Sequence, residues 1–195
     1  SKHTDADLIV SSDKLPKHYE LFGVPDYLLF LYKDPRANIF SWCKRKFPSI
    51  LENDGRLLTS LEINRGIKWW IDISSILLDW SIEQDTKITS LSLEKFSSDP
   101  KGMTNSLCGW LGLEYDPTSV DFWNRELHYI GGNHSVKRLS PNKYFYQKIV
   151  VDERWRNHLT DIAAEKIDQD AEISAILNRV TEISSKGQSS FFRLP

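Results

Sequence analysis

Tyr27-Leu28-Leu29-Phe30-Leu31-Tyr32-Lys33-Asp34-Pro35-Arg36 is the stretch on which the reading of the whole chain turns. From Tyr27 to Tyr32 every side chain is apolar or aromatic, the pattern of a strand buried on both faces in a parallel sheet. Asp34-Pro35 then opens a helix expected to run to about Lys46. Asp34 is the natural N-cap, and Pro35 takes the first helical position, where its missing N–H costs nothing. A strand that turns at once into a helix N-terminus is a common geometry for holding an anion at the carboxyl end of a sheet.

Upstream, Leu8-Ile9-Val10 reads as a short buried strand followed by the polar loop Ser11-Ser12-Asp13. Lys17 to Phe22 suits a short helix stopped by Gly23 and Pro25. Downstream, Leu57 to Trp80 has the apolar spacing of a long helix, broken or weakened at Gly66. Ile88 to Leu93 alternates apolar and small polar residues, as a strand does. Lys101 to Leu111 reads as a helix ended by Gly112, and Pro117 to Arg125 as a further short helix. His128 to Val151 is a long basic and aromatic loop, a length that usually marks function or disorder. Thr160 to Ile183 is expected to be one amphipathic helix with Ala163, Ile167, Ile173, Ile176, Leu177 and Val180 on its stripe. Strands interleaved with helices indicate an α/β layer fold. A single domain over residues 1–183 with a loose tail at 184–195 follows. Only three strands are visible, so the parallel sheet is expected to be N-terminally incomplete in this chain.

The chain has 195 residues, 40% of them hydrophobic and 27% charged, ordinary values for a globular domain. Its formal charge of -2 supplies no global field for nucleic acid or an anionic membrane, although a local basic patch can still hold a small anion. Cys43 and Cys108 fit neither a metal-ligand spacing nor a disulfide framework, which points to reduced thiols and a cytoplasmic setting. No run approaches the length of a membrane span.

Several further segments, taken in order, resemble the PAPS-dependent sulfotransferases. Ser12-Asp13-Lys14-Leu15-Pro16 resembles that family's strand-end segment with a lysine before a proline. Leu29 to Arg36 is similar to its strand ending in Arg-Asp-Pro-Arg, with Lys33 at the first arginine and Ser41 at the serine eight residues later. Leu93-Glu94-Lys95-Phe96, Asp99-Pro100 and Leu111-Gly112-Leu113 resemble its Tyr-Glu-Asp-Leu, Asp-Pro and Phe-Leu-Gly-Leu. Gly131-Gly132-Asn133, then Trp155, Arg156, His158 and Thr160, are similar to its nucleotide-covering loop and the helix after it.

The resemblance implies a P-loop-like α/β fold. It also implies transfer of a sulfuryl group from 3′-phosphoadenosine 5′-phosphosulfate (PAPS), without a metal, to a hydroxyl or amine of a small molecule or glycan. Lys33 and Ser41 would grip the 3′-phosphate, a cation at a strand end beside a helix hydroxyl. Arg36 would make a second phosphate contact, or else simply solvate its helix. Lys14 would neutralise charge developing on the bridging oxygen, or be an ordinary loop lysine. Lys137 and Arg138, with Lys143, Tyr144 and Phe145, would form a flap over the adenine, or a solvated loop.

The sequence departs from the family in stated ways. Nothing matches its phosphate-cradling Ser-Gly-Thr-type loop, Leu93 replaces an adenine-stacking tyrosine, and Lys33 replaces arginine's bidentate fork. A sulfotransferase-like binding or scaffold domain without catalysis is therefore the alternative. A P-loop kinase relative ranks below both, since no Walker loop is present. Trp69, Trp70, Trp80, Trp110 and Trp123 are read as core residues, or as the lining of an apolar acceptor cleft.

Overall fold

A computed structural model describes residues 16–19, 23–47, 56–121, 149, 151 and 153–189. The expected strand at Leu8-Ile9-Val10, Lys14, Trp123 and the flap residues Lys137 and Arg138 lie outside the described residues. The fold is mixed α/β and mostly helical. Its sheet, among the described residues, has two parallel strands, β1 (Tyr27–Tyr32) and β2 (Lys87–Ser92). They pair in register from Tyr27 opposite Lys87 to Tyr32 opposite Ser92, so both end at the same level.

Parallel pairing needs a long crossover, here helices α1 (Pro35–Lys46) and α2 (Ser60–Glu83). Asp34 caps α1 as its sequence foretells, its side chain accepting the N–H of Arg36, and Lys44, Arg45 and Lys46 fill the last turn, where cations suit the helix dipole. Thr59 and Glu62 form a reciprocal capping box at the start of α2. Arg56 adds a forked pair to Glu62, with distances of 2.8 and 3.2 Å.

Gly66 does not break α2, which runs unbroken for 24 residues. A Cβ at Gly66 would lie 2.6 Å from Ile39 Cγ2 and 3.0 Å from Cys43 Sγ. The glycine therefore lets α1 and α2 pack closely enough to bury Ile39 and Cys43 completely.

β2 ends one residue earlier than its alternation suggests. Ser92 turns the chain directly into helix α3 (Leu93–Ser98), its hydroxyl accepting the N–H of Lys95 at 3.0 Å. Helix α4 (Pro100–Leu111) follows its N-cap Asp99 and stops at Gly112, whose φ of 72° is the left-handed value that glycine adopts freely. Only a 3₁₀ turn, Pro117–Val120, forms within the described part of the next expected helix.

The expected single C-terminal helix is two: α5 (Asp161–Asp168) and α6 (Ala171–Ser189). Asp170 makes the break, its Oδ1 accepting the N–H groups of Glu172 and Ile173 at 3.0 and 3.1 Å. Helix α6 also extends into the stretch expected to be a loose tail. It lies along β2, where Ser90 Oγ donates to the carbonyl of Val180 at 2.8 Å. The core forms from α1 (Ile39, Phe40, Cys43), α2 (Ile63, Ile67, Trp70, Leu78), α5 (Ile167) and α6 (Ile173, Ile176, Val180), with Phe30, Tyr32 and Ile88 of the sheet packed against it. No helix among the described residues is long and apolar enough to cross a membrane.

Candidate functional site

A cavity of about 330 Å³ opens where the two strands end. The turn from β1 into α1 supplies Tyr32, Lys33, Asp34, Pro35 and Arg36. The turn from β2 into α3 supplies Ser92 and Glu94, and the junction of α5 and α6 supplies Ile167, Asp168, Ile173 and Leu177. The carboxyl ends of parallel strands are where open α/β sheets bind their ligands, and the volume falls at the lower end of small-molecule sites.

The polar groups here are tied to one another. Glu94 Oε1 accepts the backbone N–H of Asp34 at 2.9 Å. Asp34 Oδ1 accepts the N–H of Arg36 at 2.8 Å, so the first exposed amide of α1 already has an anionic partner. Arg36 lays its Nε and Nη2 along the Asp34 carboxylate at 2.7 to 3.1 Å, and points Nη1 at Asp168 Oδ2, 3.0 Å away. The guanidinium carbon sits 4.5 Å from the ring centroid of Trp155, which is itself buried. Hydrogen bonding to Asp34 makes Arg36 hold its proton more tightly than usual, with Asp168 adding to the effect. Burial raises the Tyr32 phenol above its ordinary pKa, and the charge of Glu94 raises it further, partly offset by a hydrogen bond with Ser92. Among the described residues, no group of His, Cys, Asp or Glu is placed to hold a metal ion.

Of the nominated residues, Lys33 and Arg36 are brought into this cavity. Ser41, half-buried further along α1, is not in its wall. Lys14, Lys137 and Arg138 lie outside the described residues. His158, in the matched C-terminal stretch, is buried and structural: its ring stacks on Phe40 at 4.7 Å and its Nδ1 lies 2.9 Å from the Arg56 carbonyl. Of the tryptophans, Trp70 belongs to the core and Trp69 packs against it, while Trp123 lies outside the described residues. Trp70 is 3% exposed, Trp69 stacks on Trp42, Trp80 on Tyr19, and Trp110 meets Tyr27 edge-on; none of them lines the cavity.

Tyr32, Ser92, Glu94 and Asp168 are polar groups of the cavity that the sequence reading did not nominate. Glu94 had a local signal, since it stands two residues beyond β2 as Asp34 stands two beyond β1. Asp168 had none, because its partner is 132 positions away. No family model, curated protein or solved structure matches the chain.

Proposed function

We propose that the chain has a P-loop-like sulfotransferase fold and binds the 3′-phosphate of PAPS in the cavity at the strand ends, for sulfuryl transfer to an acceptor hydroxyl or amine. The observation that carries this reading is the presence of Lys33 and Arg36 together in the wall of that cavity, at the positions where the resemblance to sulfotransferases calls for phosphate-binding cations. Lys33 supplies a point charge at the end of β1, and Arg36 a planar donor at the second residue of α1. Ser41, Lys14, Lys137 and Arg138 enter on the resemblance alone: Ser41 as a phosphate hydroxyl, Lys14 at the bridging oxygen, Lys137 and Arg138 over the nucleotide.

In the reaction, the acceptor oxygen or nitrogen attacks sulfur as the bond from sulfur to the bridging phosphate oxygen breaks. That oxygen leaves with 3′-phosphoadenosine 5′-phosphate, and the acceptor proton passes to a base. Positioning and cationic side chains account for such a step. The free thiols of Cys43 and Cys108 suit a reducing, cytoplasmic setting.

A second reading, a nucleotide-binding or scaffold domain without catalysis, is favoured by one observation. The Arg36 guanidinium is already paired with two carboxylates, and Asp34 caps the helix end that would otherwise face an anion. Calorimetric titration with 3′-phosphoadenosine 5′-phosphate tests both. The first reading expects binding by the 195-residue chain and its loss in Lys33→Ala. Absence of binding by the parent and by variants with fewer cavity carboxylates refutes nucleotide binding here and leaves the scaffold domain. Binding without sulfuryl transfer to any acceptor favours the second.

A further inference from the structure

The cavity contains more acids than cations: Asp34, Glu94 and Asp168 face Lys33 and Arg36. That is a poor balance for a phosphate, and one of the three acids is placed as if to be movable. Asp34 is bound to its own helix. It caps α1, grips Arg36 along one side, and its side chain is 19% exposed. Asp168 is different in each respect. It makes a single end-on contact to Nη1, its side chain is 51% exposed, and it is the last residue of α5. A carboxylate is disfavoured at a helix C-terminus, where the backbone carbonyls already concentrate negative charge. Its position gains little from its own helix and is compensated by Arg36. Among the described residues, the rest of the outer guanidinium edge, one N–H on Nη1 and one on Nη2, makes no hydrogen bond.

We propose that Asp168 is a built-in counter-anion, displaced from Arg36 when a phosphate enters the cavity, and that it thereby sets the affinity and selectivity of the site for anions. This rests on the phosphate-binding reading of the cavity. With Asp34 retained, Arg36 keeps its orientation along one edge and stays stacked on Trp155. The other edge passes from Asp168 to the incoming phosphate, which can take it in a fork. Asp168 rotates into water, at little cost for a half-exposed side chain. A ligand with too little charge to outcompete the carboxylate leaves it in place.

The test is calorimetric titration of the parent, Asp168→Asn, Asp168→Ala and Asp168→Glu with 3′-phosphoadenosine 5′-phosphate at fixed salt. The neutral variants are expected to bind about two- to fivefold tighter than the parent, the range a part-exposed ion pair is worth. Asp168→Glu, which keeps the charge, is expected to return towards parental affinity. Binding by the neutral variants when the parent shows none also supports the proposal. If the parent binds and neither neutral variant binds more tightly, the counter-anion role is overturned while the phosphate site stands. If neither the parent nor any variant binds, the phosphate reading fails and this inference with it. Loss of the parental circular dichroism in both neutral variants also overturns the proposal, because a displaceable side chain is not essential to the fold.

Discussion

Glu94 holds the backbone N–H of Asp34 at 2.9 Å across a separation of 60 residues. Tyr32 and Ser92 are paired in register, so the two acids occupy equivalent places just beyond parallel strand ends. One carboxylate thus ties the start of α3 to the turn that opens α1, and fixes the width of the cavity between them. Glu94→Ala is expected to lower stability by about 1–2 kcal/mol, as loss of a charged acceptor to a backbone amide does. Glu94→Gln should cost less, since its amide oxygen can still accept. Urea unfolding of both variants checks this; equal costs would show that the hydrogen bond is not what holds the turns together.

Gly66→Ala removes a helix-propensity penalty of about 1 kcal/mol, and on an isolated helix it would stabilise. Here the new methyl meets Ile39 Cγ2 at 2.6 Å. Overpacking of about 1–3 kcal/mol is expected to outweigh the gain, so the variant should unfold at lower denaturant. In an Ile39→Ala background the same substitution should cost less than in the parent. Additive effects would place the strain elsewhere.

Cys43 is fully buried, and burial, with Glu62 nearby, pushes its thiol up to about 12. Its thiolate fraction at pH 8 is then roughly one in ten thousand, and its sulfur has no path to reagent. Native-state labelling with iodoacetamide, read by mass spectrometry, should modify the half-buried Cys108 and spare Cys43 until the chain unfolds. Rapid labelling of Cys43 would contradict the close contact between α1 and α2.

Burial alone would raise the pKa of Glu62, but the Arg56 fork and the hydrogen bonds from Thr59 together overcome it and hold the carboxyl below its usual range. A carboxyl depressed on folding contributes stability above its unfolded pKa, about 4.3 for glutamate, and loses that contribution as pH falls through the folded value. Glu62→Gln should therefore be less stable than the parent at pH 7, with the gap closing as pH drops below about 4. Thermal melts between pH 3 and pH 7 measure it; a gap that does not change with pH would assign the loss to the cap geometry rather than to charge.

What the sequence disclosed was local. Asp34-Pro35 marked the start of α1, the apolar run marked β1, and Gly112 the end of α4, because each signal acts within a few residues. Gly66 was misread for the same reason: propensity registers the cost of glycine in a helix, while the neighbouring helix that requires it is not visible in its flanking residues. The break between α5 and α6 was written in the stripe itself. Ile167 and Ile173 stand six apart, a slip from helical phase, with Asp170 between them as a cap. Lys33 and Arg36, nominated on the resemblance to sulfotransferases, do line the cavity at the strand ends. Asp168, which pairs with Arg36, was not legible, since charge pairing between α1 and α5 depends on tertiary contact.

The cavity walls come from three stretches of chain, at residues 32–36, 92–94 and 167–177. Any contiguous fragment that contains the site must run at least from Tyr32 to Leu177. Joining the first two walls closes a loop of 60 residues, and the third is made last during synthesis. Loop closure of that span is entropically unfavourable until the strands pair and the helices pack on them. A nascent chain that stops short of Asp161 therefore has Lys33 and Arg36 but lacks the wall that makes a recess around them. The recess is therefore complete only when residues 32–36, 92–94 and 167–177 have all come together.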